Sequence, residues 1–291
     1  MPQLKIFGTV YDRSSEPESA FQITDTRLIR YTGTEESVAV PDGITEIGAE
    51  AFLNCKQIKA IRFPDSVHTV HSNAFRGCES LTDITLPDSL THIGSGLFCG
   101  CTALRQITLP EGITVIPDGA FAACPSLTEI RFSEHITKIG MHAFFRCTGL
   151  TEIEIPQQVT ELGRHAFGSC ERLTKAVVRG GIPYLFMAFS NCTGLKEVIL
   201  SPGIREITCA FENCTALTDV VIPDTVRKIG WSAFSGCSLL THITLPDSVR
   251  EIDSGAFEDC TALTEVDLPA NVKCDSSAFL NTPYGSQHSP G

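Results

Sequence analysis

The chain has 291 residues, with 22 Lys+Arg against 34 Asp+Glu and a formal net charge of −12. Hydrophobic residues make up 42% and charged residues 19%, which is the balance of a folded chain and excludes a disordered one. The acidic balance lacks the basic stripe that phosphate backbones need, so no nucleic-acid partner is expected. No run of about 18 apolar residues is present, so no membrane insertion is expected.

Met1–Asp12 has neither the basic nor the long apolar region of a signal peptide. It predicts a cytosolic chain, or one whose leader lies outside this sequence. The stretch from Phe21 to Tyr31 reads as strand, turn, strand. Residues 1–36 are expected to cap the first repeat, because an open stack end exposes apolar core and an unpaired edge.

From residue 37 to 282 the chain repeats itself. Phe52, Phe75, Phe98, Phe121, Phe144, Phe167, Phe189, Phe211, Phe234, Phe257 and Phe279 recur every 23 residues, with steps of 22 ending at Phe189, Phe211 and Phe279. A period in this range belongs to leucine-rich solenoids, since helical repeats are longer. In the unit from Leu81 to Cys101, Ile84 and Leu86 alternate with Asp83 and Thr85, as in a half-buried strand. Pro87 cannot donate to a ladder and ends that strand. Leu90 and Ile93 turn inward on a second short extended piece, and Gly94 permits a tight turn. Leu97, Phe98 and Cys101 then suit one helical or 3₁₀ turn. Each unit is one coil, and only stacking buries its apolar side. At about 4.8 Å per coil, the stack spans on the order of 50 Å.

The predicted fold class is therefore a β-rich solenoid of about eleven stacked coils. At its end, Asp275 is expected at a second-strand core position and Thr282 replaces the column cysteine. Residues 283–291 are expected to form a loose tail.

The unit Leu-x-x-Ile-x-Leu-Pro-x-x-Val-x-x-Ile-Gly-x-x-Ala-Phe-x-x-Cys resembles the BspA-type leucine-rich repeats of bacteria and some protozoa. The run Tyr31–Pro41 is similar to the lead-in of that family. The resemblance implies a leucine-rich repeat right-handed solenoid with a parallel sheet on one face, and surface or secreted proteins used in adhesion, with no catalytic residues to carry over. Ser133 and Arg179 depart from the pattern by replacing Pro.

Cys55, Cys78, Cys101, Cys124, Cys147, Cys170, Cys192, Cys214, Cys237 and Cys260 form a column. With one thiol per coil and no zinc spacing, they read as small core fillers, with disulfides or a metal as lesser alternatives. Cys99, Cys209 and Cys274 are extra, and the odd total favours a reducing compartment. The sequons at Asn191 and Asn213 each enclose a core cysteine and read as by-products of the repeat. His142 and His165 share a position in consecutive coils, as ordinary surface histidines do. Glu129, Glu152 and Glu154 cluster, as do Glu265 and Asp267; a solvated acidic face is expected, with a calcium site or glycoside hydrolysis as alternatives. No cofactor and no metal are expected.

The outward position between the strand core residues is mostly polar, but reads Val177, Ile199 and Val221 over consecutive coils. An apolar stripe with a polar rim is the composition of a binding patch. The same coils carry Tyr184 and Phe186 in an irregular stretch, and local rule-breaking in a regular array marks function. The expected contact centre is Val177, Ile199, Val221, Tyr184 and Phe186, with Glu154 on the rim and Trp231 as a further anchor. The expected function is a non-catalytic, adhesin-like scaffold at the cell surface, binding a protein or glycan as a monomer. An intracellular scaffold, located in the cytoplasm, and a carbohydrate-active enzyme are the alternatives.

Overall fold

The computed structural model describes residues 19–288. An antiparallel hairpin of β1 (Phe21–Thr24) and β2 (Arg27–Tyr31) opens the stack. β2 then pairs in parallel with Glu46–Ile47 and so begins one of two strand ladders.

Each later coil lays one strand on each ladder. The first ladder includes the four-stranded run Glu152–Ile155, Lys175–Val178, Glu197–Leu200 and Asp219–Val221. The second includes the five-stranded run Tyr184–Phe186, Glu206–Thr208, Lys228–Ile229, Glu251–Ile252 and Lys273–Cys274. All pairings between coils are parallel and join equivalent positions, as in Ile153 to Ala176 to Val198 to Val220. The alternation enforces this register, because a slip of one residue would turn every core side chain outward.

The phenylalanine column forms the axis of the core. Phe52 through Phe257 are fully buried, and successive rings from Phe52 to Phe279 lie 5.1–5.9 Å apart, at interplanar angles of 3–23°. These are offset-stacked separations, each adding about 0.5–1.5 kcal/mol beyond area burial. Tyr31 closes the upper end of the ring ladder, 5.3 Å from Phe52. Tyr284 closes the lower end edge-on, 5.0 Å from Phe279.

The segment carrying each Phe is a chain of single turns, not a helix. The Cys78 N–H donates to the Phe75 carbonyl at 3.2 Å, but Gly77 between them has φ +71° and stops helical propagation. Asn54, Ala123, Arg146 and Ser169 take the same left-handed conformation in other coils. The glycine before this segment acts by close approach, not by a special φ. A Cβ on Gly163 would stand 2.4 Å from backbone atoms of Gly140 and Met141 in the coil before.

Two expectations are corrected. Residues 283–288 are not a loose tail: Pro283–His288 is a short helix, anchored because Tyr284 covers the last ring of the column. The second-strand position of the final coil belongs to Cys274, which pairs with Ile252, and not to Asp275. The missing residue of that coil precedes the strand and moves the register by one. In the other shortened coils the loss falls at the Gly corner, where Phe186-Met187 and Thr208-Cys209 stand for three residues. Ser133, in place of Pro, buries its hydroxyl and donates to the Ile113 carbonyl at 3.0 Å.

Candidate functional site

The column cysteines are free thiols that fill the core beside the rings. Cys78 donates to the Phe52 carbonyl at 3.2 Å, and Cys101, Cys124, Cys147 and Cys170 repeat the bond down the stack. Burial pushes the Cys78 thiol up to about 12 and holds the deeper ones well above a thiol's ordinary range, so they are poor nucleophiles. His142 and His165 stack at 5.3 Å, and His165 Nδ1 meets Ser190 Oγ at 2.7 Å. Desolvation, then the neighbouring His142, lowers the pKa of His165. Among the described residues, no three His, Cys, Asp or Glu side chains converge as a metal site.

The acidic cluster lies on the first ladder. Glu129 is held by Arg131 at 2.7 Å, and Glu154 by Arg179. Glu129, Glu152 and Glu154 line an open hollow of about 320 Å³ with Lys175 and Val177.

The predicted contact residues divide between the two ladders. Val177, Ile199 and Val221 are aligned neighbours on the first ladder. Ile199 is 42% exposed and Val221 72%, but Val177 is only 8% exposed and is corrected to a covered position. Glu154 pairs with Val177 across the ladder, and Arg179 follows two residues later on the same face. The Arg179–Glu154 ion pair therefore carries the arginine stem past Val177. Ile199 and Val221 remain as the open apolar pair, with the Lys175–Glu197 ion pair, 3.0 Å long, at one side and Asp219 beside it.

Tyr184 and Phe186 lie on the second ladder, so they do not join that pair. Tyr184 is 58% exposed. Phe186 packs edge-on against Trp231, two coils away, at 6.0 Å. The shortened corner of the intervening coil makes this reach possible, with Cys209 donating to the Trp231 carbonyl beneath it. The Arg164 guanidinium sits over Phe186, 5.7 Å from the ring centre. Sequence reasoning missed Arg164, although it occupies the corner position of Trp231, three coils earlier. The structure thus offers two rigid faces, one with an apolar pair and one with an aromatic corner. Both suit recognition of a partner surface.

The chain matches the family model of the BspA type leucine-rich repeat region in six copies, over residues 28–148, 114–209 and 187–288. Among solved structures it is similar to a leucine-rich repeat protein from Bacteroides ovatus. The identity is 30%, the TM-score 0.50, and the match covers 82% of this chain and 74% of that one. It is also similar to a leucine-rich cell surface protein from Faecalibacterium prausnitzii, at 26% identity and TM-score 0.51, covering 87% of this chain and 94% of that one. A leucine-rich repeat protein from Eubacterium ventriosum, 20% identical, shares the fold at TM-score 0.57, with 85% and 91% covered. No curated protein matches the chain in sequence.

Proposed function

We propose that this chain, which belongs to the BspA-type leucine-rich repeat family, is a non-catalytic, adhesin-like module that grips a protein or glycan at a cell surface. The observation that carries the reading is the neighbouring pair Ile199 and Val221, held open on a parallel ladder inside a polar rim. A ladder hydrogen-bonded on both sides is preorganised, so binding costs little ordering entropy. An exposed apolar centre with a charged margin is the composition of an interface. The surface description of the Faecalibacterium relative supports the location.

A second reading, an intracellular scaffold, is favoured by the thirteen free cysteines. Labelling intact cells with a membrane-impermeant reagent separates the two, because only a surface protein is labelled.

The direct test is binding to immobilised extracellular-matrix proteins and glycans. Ile199→Asp is expected to abolish retention while changing stability by less than about 0.5 kcal/mol, as an exposed substitution does. Retention unchanged by the substitution would remove the pair from the contact surface. A large loss of stability would make Ile199 part of the core.

A further inference from the structure

The second ladder carries a feature separate from the apolar pair. Arg205, Arg227 and Arg250 occupy one position in three consecutive coils, and all are exposed. The Arg227 N–H donates to the Arg205 carbonyl at 2.8 Å, and the Arg250 N–H to the Arg227 carbonyl at 2.8 Å. The side chains therefore leave the stack in a row, at strand spacing of about 4.8 Å.

These guanidiniums have no carboxylate partner. Among the described residues, the arginines in ion pairs are Arg27, Arg131 and Arg179. The acidic groups around the row are Glu206, Glu251, Asp253, Asp224 and Asp247. Glu206 accepts the Thr208 hydroxyl at 2.9 Å. Lys228 takes both Glu251 and Asp253, at 3.3 and 2.8 Å. Asp224 and Asp247 sit in the preceding turns without bridging to the row. Arg227 donates to the Ser248 carbonyl at 3.3 Å, and Arg250 to the carbonyls of Asp247 and Val249. Those bonds fix the Arg227 and Arg250 forks by one edge and leave their other N–H groups facing solvent. In a chain with 34 carboxylates, an unpaired basic row is unexpected from charge balance alone.

An aromatic side chain adjoins the row: the Arg205 N–H bonds the Pro183 carbonyl at 2.8 Å, which places Tyr184, 58% exposed, beside the row's first coil.

We propose that this face binds a linear acidic polysaccharide running along the stack, one sugar per coil. The guanidinium forks take its sulfate or carboxylate groups, and Tyr184 supports a ring face at the first coil. The coil interval is close to the length of one sugar ring, and planar forks match oxyanions in bidentate fashion. An acidic peptide would take the charges but has no use for the flat aromatic face.

The test is calorimetric titration of the intact protein with heparin oligosaccharides, neutral dextran and poly-L-glutamate. Heparin binding that weakens with salt is expected, with none for dextran. The triple variant Arg205→Ala, Arg227→Ala, Arg250→Ala should lose about tenfold or more in affinity, the order of a single charge-assisted bond in all. Tyr184→Ala should also weaken heparin, while the triple variant keeps its retention on immobilised matrix protein, so that this site and the apolar pair fail independently. Thermal melts confirm that each variant is folded. Absence of heparin binding, or equal binding by the folded triple variant, overturns the proposal. Poly-L-glutamate bound as tightly as heparin, with Tyr184→Ala silent, overturns it in favour of a peptide.

Discussion

Phe144→Ala in the middle of the ring ladder should be among the most damaging single truncations in the chain. The ring is fully buried between Phe121 at 5.2 Å and Phe167 at 5.1 Å, with Phe132 edge-on at 6.2 Å. Emptying such a site costs about 3–5 kcal/mol, and the rigid coils on both sides limit collapse into the void. Phe279 has one stacked neighbour, Phe257 at 5.1 Å, and is only partly buried in the last coil. Phe279→Ala should therefore cost about 1–2 kcal/mol, less than half as much. Urea denaturation followed by circular dichroism measures both. In a solenoid each coil touches only its neighbours, so the central void should also uncouple the two halves and broaden the transition. The terminal variant should keep the slope of the wild type. Equal costs at the two positions, or a cost below about 1 kcal/mol at Phe144, would refute a continuous ring ladder as the source of stability.

Other consequences follow from the backbone and the thiols. Ala123 holds φ +56°, so Ala123→Gly should raise stability by about 1 kcal/mol, visible as a higher urea midpoint. Gly163→Ala should lower it by about 2 kcal/mol or more, since the new Cβ meets the backbone of the preceding coil at 2.4 Å. Burial raises the folded pKa of Cys78 from a thiol's ordinary 9.0 to about 12. Stability from this group is complete below 9.0 and falls as the pH rises from 9.0 towards 12, because only the unfolded chain then releases the proton. Thermal midpoints should accordingly decline above that lower value, and Cys78→Ala should flatten part of the decline.

Much of the architecture was legible in the sequence for a simple reason. A period of 23 residues aligns equivalent positions in neighbouring coils, so strict alternation around Ile84 and Leu86 already separates core from surface. The phenylalanine and cysteine columns needed no more than that. The single-residue losses were visible too, but not their location. Only pairing placed Cys274, and not Asp275, opposite Ile252.

The binding faces depended on what the repeat cannot encode. Val177, Ile199 and Val221 are equivalent by position, yet an ion pair between Arg179 and Glu154 covers the first and leaves the others open. Tyr184 and Phe186 are near Val177 in the chain, but a turn sends them to the other ladder. Trp231 reaches Phe186 only because the coil between them lacks a corner residue. The sequence by itself determined the coil, its register and its core, because those follow from local alternation and a constant period. The tertiary structure decided which outward side chains meet, pair or stay free, because those contacts run between coils and depend on side-chain reach.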